Sequence, residues 1–284
     1  MDVCAGIVLC NPDIDRLARN INAVMPQVSK LILVDNASEN IDQVQQVVAY
    51  DKIDLIRNAE NKGVASALNQ LIDHADQQGF QWILTLDDDS ISSSGMVAEL
   101  LTATTRYDRI AIVSSRTIDR DTADSTDNED KRLPGIEDID MCITAGSLTN
   151  IKAVLDAGGF DERLFIDHVD HDMCLRLKRR GYKIIRVNTA VLFQEFGEET
   201  VRRRFLWKVY TQRGYAPTRV YYQTRNSIYM LRKYGKEFRS GPFYYYFHLI
   251  FAFFARFLYE PKRFRRLRTF IRGYFAGLSM KIEK

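Results

Sequence analysis

WILTLDDDS, residues 82–90, is a short, almost wholly apolar run that stops at three adjacent carboxylates, Asp87, Asp88 and Asp89. An apolar run without polar alternation marks a strand covered on both faces, which is the condition of a strand in a parallel sheet flanked by helices. The flanking sequence repeats this logic. Upstream, Asn61-Lys62-Gly63 opens a predicted helix through about Ala75, preceded by a short strand at Ile53–Arg57 and a helix at Ile41–Tyr50. Lys30–Val34 is a second buried strand, ending at Asp35-Asn36-Ala37-Ser38, and Ile14–Val24 carries Leu17, Ile21 and Val24 at helical spacing. Val3–Leu9 is a strand that runs into Asn11-Pro12. Downstream, Met96–Tyr107 reads as a helix and Ile110–Ser114 as a strand. Strands alternating with helices predict an α/β fold with a mostly parallel, Rossmann-like sheet. Asn11, Asp35 and Asp87–Asp89 all follow strands, and that carboxyl edge is where open α/β sheets bind ligands. Residues 119–140 are acidic and aperiodic, and predict a surface loop able to act as a lid.

Composition bounds the function. The chain has 284 residues, 46% hydrophobic and 27% charged, which excludes disordered and collagenous classes. Four cysteines exclude a disulfide framework. Cys4 and Cys10 lie too far apart along one strand to bridge, so free thiols and a reducing compartment are expected. No basic leader precedes the first apolar run, so no secretory signal is expected. The net charge of +3 conceals an asymmetry. Residues 1–199 carry 20 basic and 34 acidic side chains, a balance of −14, whereas 200–284 carry 20 and 3, a balance of +17. Of the aromatic residues, 9 precede position 200 and 23 follow it. Two domains are therefore expected: an acidic 1–199 and a basic, aromatic-rich, helical 200–284. Such asymmetry suits an anionic surface, nucleic acid or membrane; the alternative is a basic subdomain that covers an acidic one.

In an extended segment Asp87 and Asp89 share a face while Asp88 turns away. Two such carboxylates suit a hard divalent cation, Mg2+ or Mn2+, whose shell is completed by water and phosphate oxygens. The alternative is that Asp89-Ser90 caps a helix. A second cluster comprises Asp161, Glu162, Asp167, Asp170 and Asp172. Asp170 and Asp172 stand at a predicted helix start, where the dipole favours anions, so helix-start acidity competes with a general base there. A base and a metal on two strand-end loops are what displacement at a phosphate-bearing ligand needs. No GxSxG, GxxxxGK[ST], GxGxxG or CxxC motif occurs, which leaves nucleophile-elbow, P-loop and nicotinamide chemistries without a motif.

These segments, in this order, resemble the family 2 inverting glycosyltransferases, which have the GT-A fold. VCAGIVLCN resembles their first strand, LILVDNAS the second with its nucleoside-binding aspartate, and NAENKGVASALN their Asn-x-Gly segment. LTLDDDS resembles their metal-binding Asp-x-Asp; ITAGSLTN and GGFDERLFIDHVDHDMCLRLKRRGYKI resemble the acceptor loop and base-bearing helix start. The likeness runs over about residues 3–197, and FIDHVDHDMCLRL with YYQTRNSIYMLRKYG is most like the rhamnosyltransferase branch of bacterial polysaccharide assembly.

The resemblance implies roles for individual residues. Cys10, Asn11 and Asp35 would border the nucleoside; Asn61, Gly63 and Asn69 would shape the nucleotide pocket. Asp87 and Asp88 would lie along the nucleotide-sugar. Asp87 and Asp89 would flank the metal, with Gln194 standing where many relatives have a histidine. Gly146 and Ser147 would line the sugar–acceptor cleft. Asp170 falls at the catalytic base and Asp172 two places on would orient it or the acceptor. Each has a plainer alternative: Asn69 packs, Gly63 permits a turn, Asp172 pairs with Arg176. Where relatives have Glu-Asp, this chain has Val169-Asp170.

The expected reaction is metal-dependent transfer of a hexosyl group, with rhamnose the best fit. The donor would be a dTDP- or UDP-sugar, and the acceptor a hydroxyl of a saccharide or lipid-linked saccharide of an O-antigen or cell-wall polymer. Phe243–Ala255 is uncharged but too short to span a bilayer, and Lys262–Arg268 is strongly basic. Peripheral docking on the cytoplasmic face of the membrane is expected, with an oligomer interface as the alternative use of this region. Two rival functions remain: a nucleotidyltransferase, which lacks a Gly-rich basic loop at Cys10-Asn11-Pro12, and a nucleic-acid binder, which the acidic half would repel.

Overall fold

β1 (Val3–Leu9) is apolar throughout because it lies between two parallel neighbours with helices on both faces, and all but one of its residues are buried. The protein is described here from a computed structural model, which covers residues 2–48, 51–119, 133–194, 201–205, 208–212, 216–237 and 263–282, with 247, 250, 251, 253, 254 and 257–259. The loop expected over 119–140 falls largely outside these residues, as do Glu195-Phe196-Gly197 and most of the 243–255 stretch.

The described chain forms two units. The first comprises Met1–Phe165 and Val169–Glu195; the second comprises Ile166–His168 and Phe196–Lys284. In the first unit, β1 is followed by α1 (Ile14–Val24), β2 (Lys30–Asp35), α2 (Ile41–Val47), β3 (Ile53–Arg57), α3 (Val64–Gln77) and β4 (Trp82–Asp87). Then come β5 (Ser90–Ser92), α4 (Met96–Ala103), β6 (Ile110–Asp119), β7 (Ile136–Asp138), β8 (Ser147–Asn150), α5 (Ile151–Asp156), α6 (Val169–Arg179) and β9 (Lys183–Gln194). The nine strands make one sheet in the order β3-β2-β1-β4-β8-β6-β9-β5, with β7 added beside β9.

The sheet is parallel from β3 through β4, as the alternating sequence predicts. Beyond β4 it becomes mixed, because β8 runs antiparallel to both β4 and β6. The sheet stays mostly parallel, since β6 and β9 pair in parallel and run with β1–β4, while β8, β5 and β7 run against them. β8 is a four-residue strand reached from an irregular segment, and it carries no periodicity from which its direction could be read. The reversal has a consequence: β4 ends at the edge where β8 begins, with Thr85 paired to Ser147.

The register aligns the functional edge. Leu9 pairs with Asp35, and Val8 with Asp87, so the ends of β1, β2 and β4 lie level. α1 packs Leu17, Ile21 and Val24 into the core beneath them. Its stripe also contains a buried polar residue, Asn20, whose Nδ2 donates to the Asp87 carbonyl oxygen at 2.6 Å.

In the second unit, β10 (Val201–Phe205) and β11 (Lys208–Gln212) form an antiparallel hairpin, which the helical expectation for 200–284 omitted. α7 (Pro217–Tyr234) and α8 (Arg263–Ser279) follow. Two glycines four residues apart set how they pack. A Cβ on Gly273 would lie 2.7 Å from the Tyr221 carbonyl oxygen, and one on Gly277 would lie 2.5 Å from that of Arg225. Only glycine allows the two backbones this close. Arg232 closes the seam by donating to the Gly277 and Met280 carbonyls at 2.8 and 2.9 Å. Among the described residues no helix is long and apolar enough to cross a membrane.

Candidate active site

Three strand ends and one helix start converge at the carboxyl edge of the sheet. At the end of β1, Cys10 is exposed and receives the Asn61 amide at 3.3 Å. Asn11 adopts a left-handed φ of 53°, which Asn tolerates better than most residues. Its backbone N–H donates to Ser38 Oγ at 2.9 Å, and its Oδ1 accepts from the Glu39 N–H at 2.7 Å. The ends of β1 and β2 are thereby tied together.

Asp35, at the end of β2, is 2% exposed. Its carboxylate accepts from the Ser38 N–H at 3.2 Å, so most of the side chain is committed to the turn. Next to it, Asn36 was not singled out in the sequence, yet it is the hub of this corner. Its Nδ2 donates to the Gly63 carbonyl at 3.1 Å, and its Oδ1 accepts from the Lys62 N–H at 3.0 Å and from Asn58 at 3.2 Å. An amide can bridge in this way because it carries both donors and acceptors.

Gly63 permits a turn and does more. Its φ is +85°, and a Cβ there would lie 2.5 Å from the Phe165 ring. One residue on, the Val64 N–H donates to the Phe165 carbonyl at 2.6 Å. The start of α3 is thus pressed onto the segment that leads to α6. Asn69 makes the same junction from the next turn of α3, contacting the Phe160 backbone through both amide atoms at 2.7 and 3.0 Å and Glu162 at 3.0 Å. Asn69, expected to shape the nucleotide pocket or only to pack, joins α3 to the Phe160–Glu162 segment through its amide.

At the end of β4, Asp88 and Asp89 occupy a turn, and Ser90 opens β5. The alternating-face argument fails because the segment is not extended, and the helix-cap alternative fails because α4 starts only after Gly95. Burial, together with the charges of Asp89 and Asp87, pushes the Asp88 carboxyl up to about 6. Burial first, then the charges of Asp35 and Asp88, also raises the Cys10 thiol. These couplings place Cys10, Asp35 and Asp88 around one region of negative potential.

Gln194, the last residue of β9, donates from Nε2 to Asp87 Oδ2 at 2.8 Å. Its Oε1 is buried and has no hydrogen-bond partner among the described residues. No group of three or more His, Cys, Asp or Glu side chains suited to a metal occurs among the described residues. Two carboxylates and an orphaned amide oxygen nevertheless fit a hard cation that takes its remaining oxygens from a ligand's phosphates.

The second half of the site is built on β8 and α6. Thr85 Oγ1 donates to the Thr144 carbonyl at 2.6 Å, and the Gly146 N–H donates to the Thr85 carbonyl at 2.8 Å. Thr85 stands two residues before Asp87. Asp170, in the first turn of α6, lines a small cavity with Thr144, Ser147, Phe160, Cys142 and Cys174. Thr85, two residues before Asp87, and Asp170 therefore both border the Thr144–Ser147 segment. Gly146 has a structural role within it, for a Cβ there would lie 2.2 Å from Ser115 Oγ. Ser147 is buried and donates to the Ile143 carbonyl at 2.7 Å. Of the two residues expected to line the sugar–acceptor cleft, Ser147 borders the small cavity beside Asp170 and Gly146 packs against Ser115.

Asp172 is 0% exposed and accepts from Arg176 Nε at 2.7 Å. Asp172 was expected to orient Asp170 or the acceptor or to pair with Arg176, and the pair with Arg176 is present. Just before α6, Asp167 and His168 have left-handed φ values of 64° and 65°, a strained path for non-glycine residues. In the second unit, Asn226 holds that path by donating to the Ile166 and Asp167 carbonyls at 2.7 and 3.0 Å.

Among the residues the sequence reading missed, Asn20 had a signal: it completes the 17-20-21-24 stripe with a polar side chain. Asn36 had none beyond its place after a strand.

Residues 4–151 match the family described as Glycosyl transferase family 2. The dTDP-rhamnosyl transferase RfbF of Shigella flexneri is 24% identical over 244 residues, which is 82% of this chain and 80% of that protein. Among solved structures, the mannosyltransferase PcManGT from Pyrobaculum calidifontis, in complex with GDP-Man and Mn2+, has a TM-score of 0.60 at 15% identity, over 99% of this chain and 76% of its own. GalNAc-T7 with UDP, GalNAc and Mn2+ has a TM-score of 0.61 at 13% identity, over 94% of this chain and 55% of its own. S. aureus TarS 1-349 has a TM-score of 0.57 at 10% identity, over 98% and 81%. The fold is that of the GT-A glycosyltransferases.

Proposed function

The chain belongs to glycosyl transferase family 2, and we propose that it is an inverting, metal-dependent glycosyltransferase that moves rhamnose from dTDP-rhamnose to a hydroxyl of a saccharide or lipid-linked saccharide. The observation that carries this reading is that the Thr144–Ser147 segment is hydrogen-bonded to Thr85, two residues before Asp87, and shares a small cavity with Asp170. The likeness to a dTDP-rhamnosyl transferase supports the choice of donor, with a UDP-sugar as the competing one.

In this mechanism the donor's base and ribose lie against Cys10, Asn11 and Asp35, and the Asn61–Gly63 turn closes over the nucleotide. The diphosphate lies along Asp87–Asp89. Asp87, Asp89 and Gln194 would hold Mn2+ or Mg2+, which would supply positive charge to offset the charge that grows on the departing nucleotide. Asp170 accepts the proton of the acceptor hydroxyl as its oxygen attacks the anomeric carbon. Attack comes from the face opposite the diphosphate, so the C–O bond to the nucleotide breaks as the new glycosidic bond forms, and the configuration inverts. No covalent glycosyl–enzyme is needed.

The acceptor is assigned to bacterial cell-surface polysaccharide, O-antigen or a related cell-wall polymer, presented at the inner face of the cytoplasmic membrane. The +17 balance and aromatic content of 200–284 support peripheral association there. A thermal-shift comparison of dTDP-rhamnose and UDP-sugars with Mn2+, followed by transfer and NMR assignment of the product anomer, tests the proposal. Stabilisation by no nucleotide-sugar would refute the donor reading, and retained configuration would refute the single displacement.

A further inference from the structure

α8 presents three different faces. Gly273 and Gly277 face α7. On the side away from that seam, Phe264, Ile271, Phe275 and Leu278 recur at helical spacing and are exposed, Phe264 by 82% and Phe275 by 63%. Large apolar side chains recurring along one solvent-facing side of a helix mark a surface that meets an apolar phase. Between stripe and seam, Arg265, Arg268, Thr269 and Arg272 line a cleft of about 440 Å³, with Thr218, Tyr221 and Tyr222 of α7 opposite them.

The cleft has the chemistry of a phosphoryl site. Among the described residues, no acidic side chain lines it, and no hydrogen bond or ion pair engages the side chain of Arg265, Arg268 or Arg272. α7 begins beside it without a side-chain cap, and in its first turn Pro217 has no N–H while Arg219 and Val220 donate to the Ala216 carbonyl, which leaves the Thr218 N–H facing outward. Guanidinium forks and hydroxyls each favour phosphate oxygens.

We propose that this face of α8 is the seat of an anionic phospholipid: the arginine cleft takes the lipid phosphate while the Phe264–Leu278 stripe enters the acyl boundary. Charge complementarity and the continuity of cleft and stripe on one helix select a lipid over a soluble phosphate compound, which would leave the stripe in water. The inference deepens the membrane association proposed above by naming its surface, and it involves no donor-site residue.

The test uses the full chain, in EDTA to silence the donor site, with phosphatidylcholine vesicles that contain or lack phosphatidylglycerol. Substitution of Arg265, Arg268 and Arg272 by Gln is expected to weaken binding to the anionic vesicles on the order of a hundredfold, about fivefold per arginine. Substitution of Lys233, Lys236 and Lys281 by Gln removes equal charge outside the cleft and is expected to cost far less. Phe264→Ser with Phe275→Ser is expected to abolish vesicle binding. Circular dichroism of each variant checks its folding, and the Arg→Lys triple variant, which keeps the charge and loses the guanidinium forks, is expected to bind more weakly than the wild type and more tightly than the Gln triple. Equal losses from the two Gln triples would overturn the cleft assignment while leaving membrane association standing. Binding to anionic vesicles untouched by the Phe variants would overturn the stripe. Inorganic pyrophosphate that binds the cleft, with no vesicle binding at all, would assign a soluble ligand and overturn both the lipid seat and the association.

Discussion

Asp172 and Arg176 form a buried ion pair, with Nε 2.7 Å from Oδ2, and the same guanidinium reaches the Ala157 carbonyl at 2.7 Å. The pair fastens α6 to the end of α5, two residues from Asp170. Removing one member strands the other, so Asp172→Ala is expected to destabilise the protein by about 3–5 kcal/mol. Urea denaturation measures this. A variant of wild-type stability but without turnover would return Asp172 to the catalytic role.

Asp170→Asn should behave in the opposite way. Its side chain borders a cavity rather than filling an ion pair. Turnover is expected to fall on the order of 10² to 10⁴-fold, with the midpoint of denaturation and the affinity for dTDP-rhamnose unchanged. Near-wild-type turnover would remove it from the mechanism.

The orphaned Gln194 oxygen beside Asp87 gives a metal prediction. Gln194→Leu should weaken Mn2+ binding about tenfold or more, as loss of a ligand or of its orienting partner does. Calorimetric titration of Mn2+ in the presence of dTDP reads this directly, and unchanged affinity would place the cation elsewhere.

Cys10 is exposed, while Cys4, Cys142 and Cys174 are buried. A thiol reagent should therefore modify one cysteine in the native state. The raised Cys10 thiol makes that reaction slow at neutral pH and faster as pH rises. dTDP with Mn2+ should slow it further by covering the end of β1. Labelling indifferent to nucleotide would separate Cys10 from the donor pocket.

Asp54 supplies a pH prediction. Burial raises its carboxyl, but hydrogen bonds from Lys30, His74 and Gln78 outweigh burial and hold it at about 2, below its ordinary 3.8. A depressed carboxyl stabilises the fold above its unfolded value and loses that contribution as pH falls from about 4 through 2. Partial exposure limits the effect to at most about 1 kcal/mol. Asp54→Asn should therefore lower stability at pH 7 and match the wild type near pH 1.5–2, by urea titration at each pH.

The sequence disclosed whatever repeats or punctuates. β1, α1 and β3 have the limits that apolar period and turn residues predict, because each is a local pattern facing one core. The strand-end polar residues, Cys10, Asp35 and Asp87, were legible for the same reason. β8 and β7 were not, since strands of four and three residues carry too little pattern and take their direction from neighbours distant in sequence. The roles of Asn69 and Asp172 were ambiguous because an amide or carboxylate on a helix looks alike whether it binds a ligand or a neighbour. Only long-range contacts, 91 residues apart for Asn69 and Phe160, decide the matter. The seam between α7 and α8 was written as Gly273-Tyr-Phe-Ala-Gly277, but small residues declare nothing until the backbone they admit is known.

The Gly63–Phe165 contact leaves no slack between the turn that would cover the nucleotide and the strand of chain that leads to the base. Under the proposed function, a donor that moved Asn61–Gly63 toward Phe165 would have to displace that ring, and the displacement would run into the segment before Asp170 across the space of a single missing methyl group.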